Sequence, residues 1–336
     1  MRSESRNLPR PQYVVPGQVI LADRVSLEQR FMLRPDRPMQ VLFYALLAYY
    51  AAVHGLKVHA VVLMSTHYHL LFTDTRGCRG DFFRDFHSML AKAVQVHRGT
   101  KSPLFDKDPT SQVDNVTELA AVEAMAYVIA NPTLAGIVED PTKWPGLFTR
   151  VEDAGRRRVE RFEMPKRIRR EDRSVVPFLD EVRWPNFVEL VQEPLCDAVG
   201  MEPEACVEAV REELARLFEE KRAEQVMTGR RFVGVMHALH QRVTKQAASW
   251  FLPRRFRDDK KIRPRVKAGR GQRDARMKAV RRNFRFWEAH LDCVERVRRG
   301  ELDVVFPAGT FRWHRLFGFP RVEATAAFYE MTSAFG

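Results

Sequence analysis

Residues 57–73 read KVHAVVLMSTHYHLLFT. Val58, Val61 and Val62, with Ala60 and Leu63, make residues 57–64 a buried strand, because β-branched and apolar side chains fit a pleated, covered surface. Ser65 and Thr66 form a tight connection, and residues 67–73 form a second strand. Side chains alternate across a strand, so His67 and His69 face one way and Tyr68 the other, into the core. Two neutral imidazoles so placed can hold one divalent cation. Alone the pair is a weak signal, since H-x-H recurs without a metal. The metallo-hydrolase pattern H-x-H-x-D fails, because Leu71 stands at the Asp position.

Upstream, Val15-Pro16-Gly17 leads into a strand at 18–22, and residues 30–33 read as a further strand or bent hairpin. Residues 34–38, RPDRP, break the pattern. Helix formers fill residues 39–54 and Gly55 supplies a C-cap. Within that helix the apolar run 41–53 has thirteen residues, fewer than the roughly 18 a membrane span requires. Downstream, Phe82, Phe86, Met89, Leu90, Ala93 and Val94 recur at helical spacing before Gly99. Residues 106–116 read as loop or a short strand. Thr117 caps a helix over 118–130, and Asn131-Pro132 is expected to close it, because the residue before proline is driven out of the α region. This order, strand–helix–strand–strand–helix–(strand)–helix, predicts a small α+β sandwich, most simply a ferredoxin-like one.

The chain has 336 residues, which makes two domains the expectation. The first spans 1–150. A charge-dense linker is expected at 151–175, and a basic, mainly helical region at 176–336. There the amphipathic helix 203–227 carries Val207, Val210, Leu214, Leu217 and Phe218 on one face. A second helix is expected near 275–298, and residues 304–311 read as strand and turn. Cys78, Cys196, Cys206 and Cys293 form no C-x-x-C pair, which excludes a zinc ribbon and a disulfide scaffold. No signal peptide is visible, and the cytoplasm is the expected compartment.

The formal net charge is +13, which points to a polyanionic partner. Residues 251–300 hold 18 Lys and Arg against 6 Asp and Glu, so nearly all the excess lies in one stretch. Arg254, Arg255, Lys260, Lys261, Arg263, Arg265, Lys267 and Arg270 are the expected DNA contacts within it. Phe251, Phe256, Phe284, Phe286 and Trp287 are interspersed and could stack on bases, although core packing explains them as well.

A second pair sits in YVIANP, residues 127–132. On a helix Tyr127 and Asn131 are i and i+4 and share a face. A tyrosine aimed at a phosphate can attack it as a nucleophile, and an amide oxygen can complete a metal's shell. A core aromatic and a helix C-cap would account for the same two residues.

Taken together, the two segments resemble a known family. VLMSTHYHLL, residues 62–71, resembles the V-x-M-x-N-H-x-H-L-L signature of the single-tyrosine HUH transposases. YVIANPTLAGIV, residues 127–138, resembles their Y-I-x-x-N-P-x-x-A-G-L-V segment, most closely that of the REP-associated tyrosine transposases. The resemblance covers about residues 12–150. It departs from the family at Tyr68, where the middle position is usually hydrophobic, and at Ser65-Thr66.

The resemblance implies a ferredoxin-like HUH catalytic domain. It implies His67, His69 and Asn131 as ligands of Mg²⁺ or Mn²⁺, and Tyr127 as the nucleophile. The function implied is DNA transposition: cleaving and rejoining single-stranded or hairpin DNA through a 5′-phosphotyrosine link. The alternative is a domesticated hairpin-binding protein without cleavage activity. No membrane partner is expected, and both a monomer and a homodimer fit.

Overall fold

The hairpin read first from the sequence lies in the middle of the sheet. The computed structural model describes residues 11–107, 109–180, 184–246 and 265–323. In chain order come β1 (Gln18–Val25), α1 (Arg37–His54), β2 (Leu56–Leu63), β3 (His67–Asp74), α2 (Arg79–Arg98), β4 (Ser111–Asn115) and α3 (Glu118–Leu134). There follow β5 (Arg158–Glu163), β6 (Arg167–Arg169), β7 (Val175–Pro177), β8 (Phe187–Gln192), α4 (Leu195–Val199), α5 (Pro203–Thr228) and α6 (Val235–Leu239). The last are β9 (Val266–Lys267), α7 (Arg273–Arg298) and α8 (Arg312–Phe317). The protein is α+β, with a mixed seven-stranded sheet in the order β5-β8-β2-β3-β1-β4-β9 and a separate β6–β7 pair.

β3 pairs antiparallel with β1 on one side and β2 on the other. The β2–β3 turn is closed by the Met64 N–H donating to His67 O at 2.8 Å. Below the turn, the indole of Trp144 donates to Leu63 O at 2.8 Å.

α1 starts at Asp36, whose side chain accepts from the Met39 N–H at 3.1 Å. It ends at Gly55, whose φ of 67° is a left-handed conformation that favours glycine. Asp74 accepts from the backbone N–H groups of Cys78 and Arg79 at 3.0 and 3.1 Å, holding the start of α2.

The alternation of β1 and β3 divides the core into two layers. Ile20, Tyr68, Leu70 and Phe72 pack with Phe43, Leu47, Phe82 and Phe86 of α1 and α2. Val19, Leu21 and Leu71 pack on the opposite face with Ala121, Met125 and Val128 of α3, and Val210 and Leu214 of α5. Full burial of side chains of this size stabilises by about 1.5–3 kcal/mol each before chain entropy is counted.

Three expectations change. Residues 30–33 are not a strand: Leu27–Gln29 and Phe31–Leu33 are 3₁₀ turns. A strand would send Met32 and Leu33 to opposite faces, whereas the turn buries both. The helix expected to stop before Pro132 runs to Leu134 with the proline inside it. Proline removes one N–H, but nearly every residue from Ala120 to Thr133 is buried, and the Ala135 N–H still reaches Asn131 O at 2.9 Å. Residues 151–175, expected as a linker, contain β5, which pairs antiparallel with β8 in the main sheet. The strand alternates: Val159, Arg161 and Glu163 face solvent, while Arg158, Glu160 and Phe162 turn inward and Phe162 packs on Tyr44, ring centroids 5.7 Å apart.

The C-terminal region folds back on the sheet. β9 pairs parallel with β4. α7 buries Phe286 and Trp287 against Tyr13 and Val15, and the Trp287 indole donates to Pro11 O at 2.7 Å. Among the described residues, no helix is long and apolar enough to cross a membrane.

Candidate active site

β3 presents His67 and His69 on the face that looks toward α3, with ring centroids 4.9 Å apart. Tyr68, between them, turns to the α1–α2 side and is fully buried. Its hydroxyl lies 2.6 Å from His87 Nε2. Burial pushes the His87 imidazole down to about 3, so it is neutral and accepts this hydrogen bond from the phenol. Burial likewise pushes the Tyr68 hydroxyl well above its ordinary range.

α3 brings the second pair to the first. The Tyr127 ring meets His69 edge to face, centroids 5.1 Å apart at an interplanar angle of 77°. Asn131 lies one turn on, buried, and lines the same cavity as His67, His69 and Tyr127. That cavity has a volume of about 590 Å³. Tyr127 is partly exposed to it, whereas His69 is nearly closed off from bulk solvent.

Several features suit a ligand. Asn131 Oδ1, Ser65 Oγ and Gln241 Oε1 are buried with no hydrogen-bond partner among the described residues, and all three residues line the cavity. Unsatisfied buried polar atoms are uncommon, and a cluster of them suits a bound group. The Thr66 hydroxyl is 3.0 Å from His67 Nδ1, so a ligand to that ring falls to Nε2. Two imidazoles and an amide oxygen form a mixed nitrogen and oxygen donor set compatible with Mg²⁺ or Mn²⁺. Among the described residues, no three His, Cys, Asp or Glu side chains group as a metal site, so the set depends on the amide.

Sequence reading missed Asp23. It stands opposite His69 in the β1–β3 register, is buried, and lines the cavity. Its signal was a lone carboxylate in the strand QVILADRV, in alternation with Val19 and Leu21, which face α3. Also missed was the far wall, where Lys221 of α5 and Arg230 and Arg231 beyond it line the cavity.

Of the eight basic residues expected to grip DNA, three lie among the described residues. Arg254, Arg255, Lys260, Lys261 and Arg263, with Phe251 and Phe256, lie outside the described residues. Arg265 is exposed just before β9. Lys267 is ion-paired with Glu123 at 2.9 Å, and Arg270 with Glu213 at 2.5 Å. Burial works to raise the Glu213 carboxyl, but hydrogen bonds from Arg216 and Arg270 outweigh it and hold the group below its ordinary value. Gly269 permits this docking, since a Cβ there would meet Leu119 Cγ at 2.4 Å. Phe286 and Trp287 are core residues, and Phe284 is exposed.

No family model matches the chain, and no curated protein matches it. A solved structure described as that of the REP-associated tyrosine transposase bound to a REP hairpin is similar over 41% of this chain and 81% of its own, with 15% identity and a TM-score of 0.36.

Proposed function

We propose that this protein is a tyrosine-dependent DNA strand transferase that cuts and rejoins single-stranded or hairpin DNA, in the manner of the single-tyrosine HUH transposases its motifs resemble. One observation carries the reading: the two motifs, far apart in sequence, line one cavity, with the Tyr127 ring against His69. The antiparallel order β4-β1-β3-β2, with α1 and α2 covering one face, supports a ferredoxin-like core for the first domain.

His67, His69 and Asn131 are the residues that would hold Mg²⁺ or Mn²⁺. A divalent ion bound there supplies charge that polarises the scissile phosphate. Tyr127 attacks the phosphorus through its phenolic oxygen. A bond forms between that oxygen and phosphorus, and the bond from phosphorus to the 3′ oxygen breaks. The phenolic proton passes to water, and the departing 3′ oxygen takes up a proton as a free hydroxyl. The product is a 5′-phosphotyrosine, and attack by a 3′-hydroxyl on it rejoins strands and restores Tyr127. One ester replaces another at each step, so no external energy source is needed.

The test is incubation with a single-stranded hairpin oligonucleotide and Mn²⁺, followed by denaturing electrophoresis. The wild-type chain is expected to form a covalent adduct and the Tyr127→Phe chain none. An adduct on Tyr127→Phe would overturn the assignment. Tight hairpin binding with no adduct from wild type would favour the non-cleaving hairpin binder.

A further inference from the structure

The wall of the cavity facing α3 is built by a segment whose charge the count along the sequence passes over. α5 ends at Gly229, and the chain then crosses the end of α3 before entering α6. Two backbone hydrogen bonds hold that crossing in place: the Val233 N–H donates to Gly136 O at 3.1 Å and the Gly234 N–H to Ile137 O at 2.8 Å. Both acceptors lie just beyond the α3 helix that carries Tyr127 and Asn131. Arg230 and Arg231 therefore sit at the cavity rim on anchored backbone, and both are exposed. Among the described residues, no carboxylate lies within ion-pair distance of Arg231, in contrast to Lys267 and Arg270.

We infer that Arg230 and Arg231 form a phosphate clamp, gripping the single DNA strand next to the phosphate presented to Tyr127. The inference rests on the function proposed above and deepens it by naming which basic groups hold the strand at the site. A guanidinium gives planar, bidentate recognition of a phosphate, and two successive ones match two successive phosphates of an extended strand. Gln241, with its buried and unsatisfied Oε1, lines the same cavity and offers an acceptor to a base of the clamped strand.

The experiment measures fluorescence anisotropy of a labelled single-stranded oligonucleotide over a salt series. It compares wild type with R230A/R231A, R230K/R231K and R156A/R157A, the last being an exposed arginine pair whose residues do not line this cavity. For R230A/R231A the affinity is expected to fall about tenfold or more, and the slope of log K against log salt to shrink by about 1.4, at roughly 0.7 per single-strand phosphate. R230K/R231K is expected to keep most of the slope, and R156A/R157A to match wild type. Unchanged affinity and slope in R230A/R231A, or an equal loss in R156A/R157A, would overturn the clamp. The function proposed above would still stand if wild type formed its Tyr127 adduct in that case. A wild-type chain that binds no strand at all overturns both.

Discussion

The rings of His69 and Tyr127 meet edge to face with centroids 5.1 Å apart, across the boundary between sheet and helix. A strand residue and a helix residue from separate motifs are thereby joined at one cavity. Substituting Tyr127 with Phe preserves the ring contact and removes only the hydroxyl. Covalent adduct formation is expected to disappear, while oligonucleotide affinity stays within about twofold and the melting temperature is unchanged. Anisotropy and a thermal melt on the same preparation check both halves.

Tyr68 provides the internal control. It neighbours both histidines in sequence, yet its hydroxyl is in the core, hydrogen-bonded to His87. Tyr68→Phe is expected to keep forming the adduct. It should lower stability by about 1 kcal/mol, the usual net worth of one hydrogen bond, in urea denaturation. Tyr68→Ala is expected to cost about 3–5 kcal/mol by leaving a cavity.

Lys267 and Arg270 are expected to matter for stability. Their partners Glu123 and Glu213 are buried, so K267A/R270A leaves carboxylates short of partners. A loss of about 1–3 kcal/mol in denaturation is expected. Oligonucleotide affinity should change less than in R230A/R231A.

Acid should destabilise the protein through buried imidazoles. Burial pushes His59 down to about 4 and His87 down to about 3. Below the unfolded value near 6.5 the unfolded chain binds protons that the folded chain refuses, so stability falls as pH falls. The loss begins near pH 6.5 and approaches roughly 1.4 kcal/mol per pH unit for each histidine. Urea midpoints between pH 7 and 5 should show this slope. His87→Gln, which keeps an acceptor for Tyr68, should reduce it.

The sequence was sufficient for features governed by local periodicity. Alternation in residues 67–73 put the two histidines on one face and Tyr68 on the other, and β3 has that arrangement. Helical spacing gave Tyr127 and Asn131 a common face, and Gly55 and Gly99 ended their helices. Where a local rule competed with tertiary context, the context prevailed. Pro132 stayed inside α3 among buried residues, and the charged segment at 158–163 became a strand because its backbone pairs with β8.

Net charge was a guide to composition but not to which charges are available. Residues 251–300 carry 18 basic groups, yet Lys267 and Arg270 face carboxylates supplied by α3 and α5. The arginines at the cavity rim come from residues 201–250, where 8 Lys and Arg are balanced by 8 Asp and Glu. Asp23 escaped notice for the same reason: its importance lies in its register opposite His69. Periodicity is a property of neighbours along the chain and can be read in one dimension. Ion pairing, strand register and the meeting of β3 with α3 depend on residues remote in sequence, and only the tertiary structure decided them.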